Sequence, residues 1–144
     1  SPRVLAVSSL YRTPPWGKLD QPDFLNAVAR IETRLAPEEL LKACLEVERR
    51  LKRVRAERWG PRPIDMDVLW YDARRIDVAG LNIPHPRMLE RAFVLVPLAE
   101  IAPELILSGQ TARHWAEAID RAGIEVVQTG NWWRQHDIRR NRQI

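Results

Sequence analysis

One cysteine, Cys44, is all the sequence holds, so an internal disulfide is excluded and a reducing compartment fits. No apolar run approaches the roughly 20 residues that span a bilayer, and no membrane crossing is expected. The opening Ser1-Pro2-Arg3-Val4-Leu5 has no apolar stretch of signal-peptide length. It enters an apolar segment almost at once, so further residues are expected upstream. The pattern G-x-x-x-x-G-K-[ST] does not occur, which excludes a P-loop enzyme, and neither does the dinucleotide pattern G-x-G-x-x-G. No repeat, low-complexity tract or linker marks a second domain. A chain of 144 residues is therefore read as one domain, with a core over 1–129 and a basic, Trp-containing tail over 130–144.

What the sequence has in quantity is positive charge in two places. Arg49, Arg50, Lys52, Arg53, Arg55, Arg58 and Arg62 stand against Glu57 alone, and the tail sets four arginines against Asp137. These segments carry +6 and +3 within a net charge of +4, leaving −5 elsewhere. Concentrated positive charge suits an anionic partner: nucleotide phosphates, nucleic acid or a membrane surface. A solvated basic face has the same composition, and charge alone leaves both readings open.

Patterning predicts an α+β fold. Val4 to Tyr11 reads as a strand, Arg12 to Gly17 as a proline-fixed loop, and Phe24 to Thr33 as a second strand. Ala36-Pro37-Glu38-Glu39 opens a helix, with proline and acids suited to the first turn. Leu40, Leu41, Cys44, Val47, Glu48 and Leu51 follow helical spacing, which places Cys44 in the core. Lys52 to Arg62 reads as a long loop and Ile64 to Tyr71 as a strand. Ile76 to Ile83 suits a hairpin arm, and Phe93 to Leu98 a strand or buried turn. Thr111 caps a helix to about Ala122, ended by Gly123. Ile124 to Gln128 is one more strand. Interspersed elements with hairpin-like connections favour α+β over a doubly wound parallel sheet.

Three clusters carry chemistry. In a strand, Asp65 and Asp67 share one face about 6.5 Å apart, with Ile64, Met66 and Val68 opposite. Two such carboxylates repel unless a cation intervenes, and hard oxygens at this spacing suit Mg²⁺, or a pair of ions about 4 Å apart bridging phosphates. Two solvent-facing aspartates are the alternative. The preceding basic loop, with Gly60, has the arginine forks that phosphoryl transfer demands. Trp59 either caps that loop or packs on the domain. His85, between Pro84 and Pro86, can bond a phosphate oxygen or satisfy loop carbonyls. His114 and His136 are read as surface residues.

Arg58-Trp59-Gly60-Pro61-Arg62-Pro63-Ile64-Asp65-Met66-Asp67 resembles the signature of 6-hydroxymethyl-7,8-dihydropterin pyrophosphokinases. So do Ser9-Leu10-Tyr11-Arg12-Thr13-Pro14-Pro15, Gln21-Pro22-Asp23-Phe24-Leu25-Asn26, Pro84-His85 through Arg91-Ala92-Phe93, and Pro97-Leu98-Ala99-Glu100-Ile101-Ala102-Pro103. Order and spacing agree over about residues 4 to 105. The resemblance implies a ferredoxin-like, mostly antiparallel sheet with helices packed on it, and a cytoplasmic enzyme of folate biosynthesis. It implies transfer of pyrophosphate from ATP to the pterin hydroxymethyl group, with release of AMP. Asp65 and Asp67 would bind two Mg²⁺ ions. Arg53 and Arg62 would stabilise the moving group, with Arg55, Arg58 and Trp59 closing the loop. His85 and Arg91 would contact ATP phosphates, and Glu48 would face the nucleotide. Phe24 and Phe93 would sandwich the pterin, while Asn26 and the segment through Thr13, Pro14 and Trp16 would read its edge.

The family's N-terminal strand, loop and helix are absent ahead of Val4; residues omitted upstream are the expected reason, and Ile124 to Gln128 or another subunit filling the gap is the alternative. Lys52 stands where the family has glycine, and Leu45 where glutamine is common. A catalytically degenerate ATP or pterin binder is the alternative, and a single-stranded RNA-binding module a further one. An RNA platform does not need paired acids on its working face, however, so nucleic acid is not the expected partner. No obligate protein partner is expected either.

Overall fold

The computed structural model describes residues 2–14, 23–56 (backbone alone over 52–56), 65–130 and 132–133. They are α+β, with three α-helices and small sheets in which every pairing is antiparallel. The chain forms two compact units. One comprises Ser1–Pro2 with Thr33–Met88, the other Arg3–Glu32 with Leu89–Ile144. Among the described residues no helix is long and apolar enough to cross a membrane.

In the second unit the first apolar run is two strands rather than one. Strand β1 (Arg3–Val7) and strand β2 (Leu10–Thr13) are separated at Ser8-Ser9, and the second run divides likewise into β3 (Phe24–Asn26) and β4 (Ala29–Glu32). β1 pairs with β4, whereas β2 pairs with β3, so both strands change sheet at the same level. Ser8 makes the corner possible. It is fully buried; its N–H donates to the Val28 carbonyl at 2.8 Å, and its hydroxyl accepts from the Val28 N–H at 2.9 Å while donating to the Ser9 carbonyl. Side chain and backbone together replace the ladder bonds lost at the break.

In the first unit, α1 runs over Pro37–Ala56. Pro37 occupies the first turn, and the Glu39 carboxylate accepts the Ala36 N–H at 2.8 Å, half of a capping box. The helix continues five residues into the stretch expected as loop. Lys52 to Ala56 are helix formers with neither glycine nor proline, so nothing stops the helix there. Val47, expected on the apolar face, is exposed.

Residues 65–71 form no strand, against expectation. Their backbone groups are satisfied elsewhere: Met66 N–H by Glu48, the Leu69 carbonyl by His85 N–H, and the Tyr71 carbonyl by Arg74 N–H. A strand-forming sequence is a strand only when a neighbouring ladder accepts it. The hairpin of β5 (Ile76–Val78) and β6 (Leu81–Ile83) is as expected, in register Ile76↔Ile83, and a 3₁₀ turn follows at Met88–Glu90. Leu40, Leu81, Ile83 and Met88 are the buried apolar residues of this unit.

Phe93 to Leu98, read as strand or buried turn, lies within helix α2 (Ala92–Ile101). The helix is apolar nearly all round, so no 3.6-residue period shows, and a short apolar run fits either element. A two-stranded hairpin, β7 (Ile106–Leu107) and β8 (Gln110–Thr111), leads to α3 (Ala112–Ala118). Thr111 caps α3 as expected, its hydroxyl accepting the His114 N–H at 3.0 Å. The helix ends at Ala118 rather than near Ala122, and Gly123 instead serves the following turn, where Ile124 N–H donates to the Arg121 carbonyl. Strand β9 (Glu125–Gln128) then pairs with the free edge of β2, giving the order β3-β2-β9.

The core of this unit is Tyr11, Leu95, Leu98, Leu107, Ala112 and Ala116. At its margin the carboxylate of Glu100, an exposed residue, accepts from Ser9 N–H (2.9 Å), Ser9 hydroxyl (2.9 Å) and Tyr11 hydroxyl (2.6 Å), bolting α2 to β2. Burial first, then the Glu100 carboxylate, pushes the Tyr11 hydroxyl from 10.0 up to about 12. A raised folded value means that the neutral phenol's contribution is complete below pH 10 and is lost as pH climbs toward 12. Wild type is therefore expected to lose stability more steeply than Tyr11→Phe over that interval, as urea titrations at several pH values would record. Parallel slopes would refute the link.

Candidate active site

The expected site residues divide between the two units. In the first, α1 carries Glu48 at the start of its fourth turn, and Glu48 Oε2 accepts the Met66 N–H at 2.5 Å. That bond fixes the backbone between Asp65 and Asp67, both of which are exposed. Asp67 and His85 come together on an open recess of about 170 Å³, which Leu41, Met66, Asn82 and Pro86 also line. The main-chain bond from His85 N–H to the Leu69 carbonyl, 2.9 Å, holds the two segments side by side.

The imidazole of His85 is oriented too. Its Nδ1 accepts the Arg87 N–H at 3.3 Å, so in the neutral ring the proton sits on Nε2, which is free to donate. Cys44, expected in the core, is half-buried one turn before Glu48. Burial raises its thiol pKa above the usual value, with smaller contributions from the Glu48 and Asp67 carboxylates, so it is a poor nucleophile.

Among the described residues no group of three or more His, Cys, Asp and Glu side chains is placed to hold a metal. Asp65 and Asp67 offer two exposed carboxylates and no cage. That donor set fits Mg²⁺, which keeps several waters and is held by one or two carboxylates plus substrate phosphates. Of the arginines, Arg53 and Arg55 lie in the last turns of α1, and only their backbone is described. Arg58, Trp59 and Arg62 lie outside the described residues, as does Trp16.

In the second unit, β2 and β3 bring Thr13 opposite Phe24 and Tyr11 opposite Asn26. Asn26 Nδ2 donates to the Thr13 hydroxyl at 3.4 Å, which leaves the amide oxygen and one N–H to read a ligand edge. Phe24 is 52% exposed, a cost the protein bears with no core benefit. On α2, Phe93 is half-buried, and the Arg91 guanidinium carbon lies over its ring, 5.7 Å from the centroid. Pro14 is braced by Gly123, whose φ of +85° excludes a side chain comfortably and whose Cβ would sit 3.2 Å from the proline ring.

Sequence reasoning missed two supports. Glu100 was visible only as a letter in a matching motif, since nothing in its surroundings signals a triple acceptor. Trp132, left without a role, donates its Nε1–H to the Ser8 carbonyl at 2.9 Å.

Residues 1–103 match the family model described as 7,8-dihydro-6-hydroxymethylpterin-pyrophosphokinase. The chain is 53% identical over 126 residues to the 2-amino-4-hydroxy-6-hydroxymethyldihydropteridine pyrophosphokinase of Methylorubrum extorquens, covering 88% of this chain and 80% of that one. It is 44% identical over 126 residues to the protein of the same name from Pseudomonas aeruginosa, covering 88% and 76%. Similarity extends to a folic acid synthesis protein of Schizosaccharomyces pombe, 43% identical over 119 residues, 83% of this chain and 16% of that much longer one.

Proposed function

The chain belongs to the 7,8-dihydro-6-hydroxymethylpterin-pyrophosphokinase family, and from that premise we propose that it transfers the β,γ-pyrophosphoryl group of ATP to 6-hydroxymethyl-7,8-dihydropterin in folate biosynthesis. The pterin hydroxymethyl oxygen attacks Pβ and loses its proton to solvent, the bond from Pβ to the α,β-bridging oxygen breaks, and AMP departs. The reading rests on the family match, together with the carboxylate Asp67 and the hydrogen-bond donor His85 on one recess.

The chain acts as one pyrophosphokinase domain of ferredoxin-like fold, core 1–129 and basic tail 130–144, in the cytoplasm. Asp65 and Asp67 would hold Mg²⁺, two ions with ATP as co-substrate, which would supply neutralisation of the phosphate charge. His85 donates through Nε2 to a phosphate oxygen, and Glu48, Arg55, Arg58, Trp59 and Arg91 bind the nucleotide. Arg53 and Arg62 stabilise the charge on the transferring group. In the second unit Phe24 and Phe93 offer aromatic faces to the flat heterocycle, while Asn26 and the segment through Thr13, Pro14 and Trp16 fix its edge.

AMP release from ATP tests the reading directly. AMP is expected only when both Mg²⁺ and 6-hydroxymethyl-7,8-dihydropterin are supplied, and AMP formed without the pterin would overturn the assignment. Phe93→Ala is expected to raise KM for the pterin about tenfold, near 1.4 kcal/mol, with KM for ATP unchanged. Equal increases in both would make Phe93 a structural residue.

A further inference from the structure

The Met66 N–H lies between the two aspartates in the chain, and its acceptor is a side chain eighteen residues away, Glu48 Oε2 at 2.5 Å. Residues 65–71 have no strand ladder, and among the described residues four bonds define their path: this one, the Leu69 carbonyl with His85 N–H, the Tyr71 carbonyl with Arg74 N–H, and the Tyr71 hydroxyl donating to the Leu35 carbonyl. Of these, only the Glu48 bond acts at the level of the aspartates. Glu48 is itself half-buried on a 20-residue helix, a rigid support.

We infer that Glu48 is a positioning residue: its carboxylate clamps the Met66 amide so that Asp65 and Asp67 are presented to a divalent cation without Glu48 ligating it. The inference rests on the metal-binding reading of the two aspartates given above. One Glu48 oxygen is committed to a backbone donor, and among the described residues Glu48 does not join the aspartates in a three-ligand group. A side-chain oxygen held on a rigid helix and bonded to a backbone N–H fixes that amide in place, whether or not the oxygen is charged. The geometry it imposes is what a carboxylate pair otherwise lacks, because two like charges left free swing apart.

Three substitutions separate the clamp from a role in charge. Glu48→Gln keeps an oxygen acceptor at the same reach and removes the charge. Glu48→Asp keeps the charge and falls short by one methylene, and Glu48→Ala removes both. Two readouts apply to the full chain: Met66 amide exchange by NMR without metal, and Mn²⁺ binding by calorimetry without nucleotide, so that no contact of Glu48 with ATP enters the Kd. Met66 exchange is expected to be slow in wild type and Glu48→Gln, and at least about tenfold faster in Glu48→Asp and Glu48→Ala. The Mn²⁺ Kd should rise about 10- to 100-fold in the latter two and change little in Glu48→Gln, as for other groups that orient metal ligands.

Should Glu48→Ala fail to fold, the Gln and Asp variants carry the test alone. Mn²⁺ lost as badly in Glu48→Gln as in Glu48→Asp would overturn the proposal in favour of a charge or ligand role. Unchanged Mn²⁺ affinity in a variant whose Met66 amide is exposed would also overturn it. A protected Met66 amide in wild type that binds no Mn²⁺ would bring down the metal reading of the aspartates, and the positioning role with it.

Discussion

Asp67→Ala is expected to lower Mg²⁺-dependent AMP release on the order of 10³-fold or more, about 4 kcal/mol of transition-state stabilisation. The loss should appear in kcat, because the carboxylate works on charge that is redistributed as the pyrophosphoryl group moves. Asp67 is exposed and among the described residues its carboxylate makes no hydrogen bond or ion pair, so its removal should leave stability within about 0.5 kcal/mol of wild type. Turnover across a Mg²⁺ series, measured beside thermal unfolding, separates the two effects. Activity recovered at high Mg²⁺ would mean that Asp67 contributes affinity alone. Full activity at ordinary Mg²⁺ would remove Asp67 from the site.

Glu100→Ala is expected to have the largest effect on stability, about 3 kcal/mol or more. The substitution strands three donors at once: the Ser9 N–H, the Ser9 hydroxyl and the Tyr11 hydroxyl. Ser9 and Tyr11 are both buried, 5% and 7% exposed, whereas Glu100 itself is exposed, so water entering at its position recovers part of the loss. A buried donor left unpaired costs roughly 1–3 kcal/mol, and partial relaxation keeps the total below the sum. Glu100→Gln retains an acceptor oxygen and should cost less than half as much. Urea unfolding of the three proteins decides it; equal stability of Glu100→Ala and wild type would show that the network contributes nothing net. Because Ser9 precedes and Tyr11 belongs to the strand that carries Thr13, weaker pterin binding should accompany the loss.

The sequence made some of this legible and hid the rest for identifiable reasons. Local chemistry was readable: Pro37 and Glu39 opening α1, Thr111 capping α3, and the hairpin over Ile76 to Ile83. Each depends on neighbours in sequence. Non-local choices were not readable. Residues 65–71 have the composition of a strand, yet their donors and acceptors go to Glu48, His85 and Arg74. Ser8 and Val28 break two long strand patterns through a bond that joins residues twenty apart. Phe93 to Leu98 carried no period because α2 is apolar on nearly every side. For the site, the pairing of Asp67 with His85 was implicit in the matched motifs, whereas Glu48 beneath Met66 and Gly123 behind Pro14 needed coordinates.

The pairing of β2 with β9 bears on synthesis. β2 lies near residue 11 and β9 near residue 126, so a ribosome must deliver almost the whole described chain before the three-stranded sheet can close. Residues 33–88, nested between the halves of the other unit, emerge as a continuous block. The nascent protein should therefore mature from the inside of its sequence outward. The unit carrying Asp65, Asp67 and His85 has every one of its residues available while β2 still waits with a bare edge. That interval of unpaired strand, set by translation speed, is when the chain is most open to aggregation and to chaperone capture.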